Sequence, residues 1–118
     1  IASGNRVVAV PSLKAALIVA DFYQLLDTSD VPGGVINLVT GVPSELATVL
    51  AAHDDVAAIW AVGPTDECEQ IKKESAGNLK SVWTSDGKSP DWYDSQAEGS
   101  SWLERATQVK NIWVPYGE

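Results

Sequence analysis

Cysteine and histidine are the side chains most often used as a nucleophile and its base, and this chain has one of each, Cys68 and His53. Acidic residues surround Cys68 in the segment DECEQ at 66–70, and nearby negative charge raises the pKa of a thiol and disfavours its reactive thiolate. His53 is followed by two aspartates at the predicted end of a helix, where an imidazole stabilises the helix terminus. A catalytic triad has no well-supported members, so no catalytic residue is predicted.

The composition narrows the range of functions. The chain has 118 residues, enough for one domain, and a net charge of −8, which disfavours binding to nucleic acid or to an anionic membrane. Acidic clusters at 27–30, 66–69 and 86–98 do not follow the spacing of a calcium-binding loop, and one cysteine with one histidine cannot form a structural zinc site, so no metal site is predicted. No apolar run is long enough for a transmembrane helix, and the 45% apolar content predicts a core that needs no disulfide. These features indicate a cytoplasmic protein.

The elements that must position any site alternate between strand and helix. Short β-branched runs predict strands at 6–10, 35–39, 56–62 and 79–84. Apolar residues at spacings of three and four predict helices between them, over 13–26, from Pro43 to about residue 52, and over 65–75. This alternation is typical of an α/β fold in which βαβ units build a parallel sheet.

The turns that end the strands are the remaining candidates for binding chemistry. Ligands of open parallel sheets bind at the carboxyl ends of the strands, which here carry VPS at 10–12, TGV at 40–42 and VGPT at 62–65. None of these turns contains G-x-G-x-x-G, and Pro64 removes an amide donor that would face a phosphate. The residue pattern alone therefore gives a weak indication of nucleotide binding.

The last quarter of the chain differs in composition. Gly, Ser, Asp and Pro dominate residues 85–101, which predicts a long surface connection. Residues 106–114 have strand-like character with apolar side chains on both faces, and we expect a partner surface to cover them. The predicted interface residues are Val109, Lys110, Ile112, Trp113 and Val114. Of the five tryptophans, Trp60 and Trp83 are expected to pack within strands, whereas Trp92, Trp102 and Trp113 are expected at an edge or interface.

Taken in order, the turn motifs resemble the coenzyme-binding half of the NAD(P)-dependent aldehyde dehydrogenases. The family runs G-N-x-V-V-x-K-P-S-E, V-P-x-G-V-x-N-x-V-T-G, F-T-G-S and E-L-G-G-K-S-P. This chain has GNRVVAVPSL at 4–13, VPGGVINLVTG at 31–41, AVGP at 61–64 and TSDGKSP at 84–90. The segment ATQVKNIW at 106–113 is also similar to the family's closing Y-T-Q-V-K-T strand, which belongs to its oligomerisation segment.

Departures from the family pattern fall on functional positions. The resemblance places the family's ribose-binding lysine and glutamate on Val10 and Leu13, its pyrophosphate serine on Pro64, and its general base on Thr84. Threonine cannot accept a proton near neutral pH. The catalytic cysteine of the family should follow residue 90, where this chain instead continues toward its closing strand.

The resemblance implies a Rossmann-like open sheet of mostly parallel strands with flanking helices over 1–90, followed by a surface connection and an oligomerisation-type strand over 91–118. It is nearest to the degenerate second domain of the two-domain sixteenth family, and the absence of methionine fits a piece of a longer chain. On this reading the chain is non-catalytic and holds no cofactor, while its parent enzyme uses NAD or NADP. The expected partners are the remainder of that parent and other copies of the chain, through the closing strand. Pro11, Ser12, Gly41 and Gly63 mark a vestigial coenzyme site. Two alternatives stay open, a retained NAD(P)-binding module and a piece of an active dehydrogenase.

Overall fold

A computed structural model describes residues 1–117. Within these residues four strands and four helices follow one another, with short 3-10 turns at 13–15, 75–77 and 95–98. Their bounds are β1 Val7–Ala9, α1 Ala16–Asp27, β2 Ile36–Leu38, α2 Pro43–Ala52, β3 Ala58–Gly63, α3 Thr65–Glu74, β4 Ser81–Asp86 and α4 Ser100–Arg105. The predicted α/β class and the first seven elements are confirmed, with bounds within about three residues of those expected from periodicity.

Local chemistry explains where the helices begin and end. Pro43 occupies the first turn of α2, where its missing N–H costs no helical hydrogen bond. In α3, acidic residues stand in the first turn and Lys72 and Lys73 in the last, which complements the helix dipole at both ends. The hydroxyl of Thr28 donates to the carbonyl of Gln24 at 3.0 Å and closes the end of α1. The start of α2, the end of α1 and both ends of α3 thus follow from residues in or beside each helix.

The strands form two parallel pairs. β1 pairs with β2, Val7 opposite Ile36, and β3 pairs with β4, Ala58 opposite Ser81. The parallel pairing agrees with the prediction. The strands lie in two separate sheets and not in one open sheet, because no hydrogen-bonded ladder joins the two pairs in the described chain. β1 and β2 have three residues each, which leaves few backbone groups to extend a sheet.

The predicted closing strand over 106–114 is absent. Ala106 ends α4, and residues 107–117 have neither helix nor strand. A strand exists only through hydrogen bonds to a neighbour, and no backbone hydrogen bond joins residues 108–117 to the other described residues. The connection at 85–101 also differs from expectation, because α4 begins within it.

The core is smaller than the apolar content predicts. Among residues 1–117 the buried apolar side chains are Ala51, Cys68 and Ile71, all on α2 and α3. The accessible surface is 9363 Å², whereas a compact monomer of this mass exposes about 6,200 Å². The radius of gyration is 16.5 Å, against about 13.5 Å for a compact domain of this length. The expectation of a sizeable self-sufficient core was therefore wrong. No helix within residues 1–117 has the length and apolar character needed to cross a bilayer.

Candidate functional site

Three of the four predicted coenzyme residues come after the carboxyl ends of β1 and β2. The amide of Val39 donates to the carbonyl of Ala9 at 3.0 Å, so the two strands end side by side. Pro11 and Ser12 come shortly after β1, which ends at Ala9, and Gly41 comes shortly after β2, which ends at Leu38. This is the edge at which ligands of parallel sheets bind.

Gly41 allows α2 to start close behind its strand. A Cβ atom at this position would lie 2.9 Å from Cδ1 of Leu46, on the first turns of α2. The side chain of Ser12 makes no capping hydrogen bond to the 3-10 turn that follows it. At this edge the hydroxyl of Ser12 is therefore available to a ligand, and the backbone at Gly41 lies close to α2. Pro43, at the start of α2, has no N–H to donate to a ligand.

Gly63, the fourth predicted coenzyme residue, lies at the end of β3 in the other pair. Its carbonyl already accepts from the amide of Gly87 at 2.7 Å, and it stands opposite Asp86 in the β3–β4 register. A Cβ atom at Gly63 would lie 3.3 Å from a carboxylate oxygen of Glu67. Two carboxylates beside this turn disfavour a phosphate electrostatically.

Thr84, which the resemblance places at the general-base position, is half-buried on β4 opposite Ala61. Its side chain is a hydroxyl in the middle of a paired strand. A hydroxyl can donate or accept a hydrogen bond, but it has no basic form near neutral pH. The position is occupied by a residue that fits the sheet and cannot abstract a proton.

Cys68 is enclosed by α3 and the ends of β3 and β4. Its side chain is 1% exposed, and Sγ lies 3.6 Å from the carbonyl oxygen of Gly63 and 4.0 Å from that of Ser85. Burial raises the pKa of the Cys68 thiol above its ordinary value of 9.0, and Asp86 raises it further. A buried thiol held in its neutral form is a poor nucleophile, which agrees with the structural role expected from the sequence.

His53 ends α2, and its imidazole is hydrogen-bonded within its own turn. Its Nδ1 accepts from the amide of Asp55 at 3.2 Å. Neither Cys68 nor any other nucleophile is among its hydrogen-bond partners in the described chain. Across residues 1–117, no group of three or more His, Cys, Asp or Glu side chains has the geometry of a metal site.

The predicted interface residues all lie in the terminal segment 107–117 and face solvent. Val109 is 87% exposed, Ile112 83% and Trp113 93%, while Val114 and Lys110 are exposed as well. The side-chain amide of Asn5 donates to the carbonyl of Ala106 at 2.6 Å, so the segment leaves the fold beside the start of β1.

A cluster of tryptophans on the β3–β4 pair was not foreseen. Trp60 and Trp83 stand opposite each other in the register, and Trp102 of α4 packs on both, with ring centroids 5.5 and 5.1 Å away. Trp92 also contacts Trp102, at 5.3 Å. The high number of tryptophans was visible in the sequence. Their contact was not predictable from it, because that contact depends on α4 packing against the β3–β4 pair.

Comparison with known proteins matches the model of the aldehyde dehydrogenase family to residues 1–108. The chain is 35% identical over 88 residues to the NADP/NAD-dependent aldehyde dehydrogenase PuuC of Escherichia coli, covering 74% of this chain and 18% of that protein. It is 37% identical over 82 residues to 2-aminomuconic semialdehyde dehydrogenase of Mus musculus, covering 70% and 17%.

A solved structure gives the same result for the fold. The crystal structure of aldehyde dehydrogenase from Bartonella henselae superposes with a TM-score of 0.62 at 33% identity, covering 67% of this chain and 17% of that one. The chain therefore spans less than a fifth of the length of these relatives.

Proposed function

Because the chain belongs to the aldehyde dehydrogenase family, we propose that it is a non-catalytic domain of a larger NAD(P)-dependent aldehyde dehydrogenase, of the degenerate second-domain type. Its role is structural: it packs on the remainder of its polypeptide and contributes the segment 107–117 to an interface. The relatives span several times this length and are named as dehydrogenases, which supports an oxidoreductase parent.

The observation that carries the proposal is the excess of exposed surface. The chain exposes about 3,100 Å² more than a compact monomer of its mass. Obligate interfaces bury about 2,000 to 5,000 Å² in total, so the excess is large enough for permanent association. Much of it is apolar, as at Leu17 (84% exposed) on α1 and Ile112 (83%) in the terminal segment. Surfaces of this kind are normally covered.

The candidate catalytic positions support a non-catalytic role. Thr84 offers no base, and Cys68 is buried as a neutral thiol on the inner face of α3. The Nδ1 atom of His53 already accepts a hydrogen bond from the backbone amide of Asp55, in the turn after α2. Nothing in this arrangement activates a nucleophile.

The segment 107–117 suits addition to a partner sheet. The backbone groups of residues 108–117 make no backbone hydrogen bond within the described chain, and the side chains of the segment include Val109, Ile112, Trp113 and Val114, all of them exposed. Pairing with an exposed strand would satisfy those backbone groups, and pockets on either face would take alternate side chains. Lys110 remains available for a polar contact at the rim of the interface.

Deleting residues 107–118 tests this role without touching the contact between Asn5 and Ala106. We expect the 118-residue chain to self-associate at high concentration in sedimentation velocity, and the deletion to abolish that association. In the full-length polypeptide that carries the chain, we expect the same deletion to impair assembly. Lys110→Gln is the matched control, because it changes the segment's charge and leaves its apolar face intact. A monomeric chain at high concentration, together with normal assembly of the deleted polypeptide, would overturn the proposal.

A retained NAD(P)-binding module is the second candidate. It is favoured by the position of Pro11, Ser12 and Gly41 at one strand-end edge, and opposed by Asp86 and Glu67 around Gly63. Calorimetric titration with NAD and with NADP separates the two roles. Heat of binding, with a rise in melting temperature that Gly41→Val removes, would establish the module. Silent mixing at millimolar coenzyme would exclude it.

A further inference from the structure

A cavity of about 390 Å³ lies between the β3–β4 pair and the segment that carries α4, away from the strand-end edge. This volume falls within the range of about 300 to 1,000 Å³ that is typical of small-molecule sites. The residues that line it are Trp83, Pro90, Asp91, Asp94, Gln96, Ala97, Ser101, Trp102 and Arg105.

Two indole rings form an apolar corner in this cavity. The rings of Trp83 and Trp102 meet at 78° with their centroids 5.1 Å apart, and both side chains are half-buried. The indole nitrogen of Trp102 donates to the carbonyl of Gln96 at 3.2 Å, which fixes the orientation of that ring. Such a corner accepts a flat apolar group by edge-to-face and offset contacts.

The cavity also holds charges of both signs that do not pair with each other. The guanidinium carbon of Arg105 lies 5.9 Å from the Trp83 ring centroid and 6.0 Å from that of Trp102, so the aromatic corner holds the cation in place. Within residues 1–117 the one ion pair joins Lys72 to Asp86, at 3.9 Å, and Arg105 makes no side-chain hydrogen bond. Arg105 lines the cavity, so its guanidinium donors are available to a ligand there.

Asp91 and Asp94 each accept a backbone hydrogen bond with one carboxylate oxygen. Oδ1 of Asp91 accepts from the amide of Tyr93 at 3.0 Å, and Oδ1 of Asp94 accepts from that of Gln96 at 2.8 Å. Their second oxygens make no hydrogen bond within the described chain. The cavity therefore combines a cation, free carboxylate oxygens and an aromatic corner.

We propose that this cavity binds a small zwitterion with an aromatic side chain, the chemistry of a free aromatic amino acid. Arg105 takes the ligand carboxylate through its paired donors, Asp91 and Asp94 take the ammonium, and the ring packs against the indoles of Trp83 and Trp102. A ligand with a single charge satisfies only one side of this arrangement and leaves like charges facing it on the other. The inference is independent of the proposed structural role.

L-Phenylalanine is the probe, and the five indole N–H signals of the chain are the readout in a ¹⁵N correlation spectrum. We expect L-phenylalanine to shift the signals of Trp83 and Trp102, while the signal of Trp113, outside the cavity, stays fixed. Binding of 3-phenylpropionate and of 2-phenylethylamine should each be at least about tenfold weaker, because each lacks one charge-assisted contact. L-Alanine, which lacks the ring, should not bind.

Two variants assign the contacts. Arg105→Gln should weaken L-phenylalanine binding about tenfold, because the carboxylate contact is lost, and should not weaken 2-phenylethylamine, because for that ligand the substitution removes only a like charge. Asp91→Asn keeps the oxygen that accepts from Tyr93 and should weaken L-phenylalanine and 2-phenylethylamine alike. Lys110→Gln is the charge control outside the cavity. The proposal is overturned if 2-phenylethylamine or 3-phenylpropionate binds as tightly as L-phenylalanine, if Trp113 shifts together with Trp83, or if tens of millimolar L-phenylalanine produce no shift.

Discussion

The ammonium nitrogen of Lys80 lies 2.6 Å from the carbonyl oxygen of Ala51, the most buried residue of α2. The same nitrogen lies 2.7 Å from the carbonyl oxygen of His53 and 3.4 Å from that of Leu50. The last carbonyls of a helix have no partner within the helix, and a cation there also complements the helix dipole. Lys80, just before β4, thus ties the end of α2 to the β3–β4 pair.

Replacing Lys80 with methionine keeps the apolar stem and removes the three charge-assisted hydrogen bonds. We expect Lys80→Met to lower the free energy of unfolding by about 2 kcal/mol, because the part-buried carbonyl of Ala51 loses its donor and two further carbonyls lose a charged one. Urea denaturation followed by circular dichroism measures the change. Lys110→Met is the matched control, since Lys110 is exposed in the terminal segment, and we expect it to stay within about 0.5 kcal/mol of the parent chain. Equal effects of the two substitutions would contradict the capping role.

Trp102 and Trp113 provide a second matched pair. Trp102 contacts three other tryptophans, whereas Trp113 is 93% exposed. Trp102→Ala should cost about 2 to 3 kcal/mol, less than the full burial of an indole, because the ring is only half-buried. Trp113→Ala should change stability by less than about 0.5 kcal/mol. Chemical denaturation of both variants is the measurement, and a larger loss for Trp113→Ala would show that the terminal segment is already packed in the isolated chain.

Gly33 and Gly34 precede β2 in one turn but differ in backbone conformation. Gly34 has a φ of +82°, and its carbonyl accepts from the side-chain amide of Asn37 at 3.0 Å, whereas Gly33 lies outside the left-handed region. Gly34→Ala should destabilise the chain by about 1 to 2 kcal/mol, because a Cβ is disfavoured at positive φ. Gly33→Ala, with open space around its Cβ, should be within about 0.5 kcal/mol of neutral. Thermal unfolding of the two variants side by side tests the difference, and equal melting temperatures would contradict it.

Local patterns predicted the elements whose formation depends on their own residues. The strand around Ile59 and the helix around Ile71 follow directly from β-branched runs and from spacings of three and four. The positions of Pro11, Ser12 and Gly41 at one edge followed from parallel pairing of consecutive strands, although whether they bind a coenzyme stays a prediction.

The features that the sequence did not predict depend on contacts with residues far away in the chain or in another chain. The strand expected around Val109 needs a second strand to satisfy its backbone, and the described chain provides none. α4 was missed because its six residues carry a weak helical signal, and its position depends on Trp102 packing against Trp60 and Trp83. The same contact creates the cavity at Arg105, so that site has no local signature.

The buried thiol of Cys68 makes the stability of the chain sensitive to alkaline pH. Burial raises the pKa of this thiol above 9.0, with a further contribution from Asp86, while Lys72 acts in the opposite direction. Above pH 9 the unfolded chain loses the thiol proton before the folded chain does, so the folded state binds more protons and stability falls as the pH rises. The contribution is fully present below pH 9.

Cys68→Ala should cost about 1 kcal/mol at pH 7 through lost packing, and its stability should decline less steeply above pH 9 than that of the parent chain. Urea denaturation of both proteins from pH 7 to 10.5 measures the two slopes, and a disulfide exchange reagent at pH 8 should modify Cys68 only as fast as the chain opens. Parallel pH slopes, or immediate modification of a chain with native circular dichroism, would contradict the buried neutral thiol.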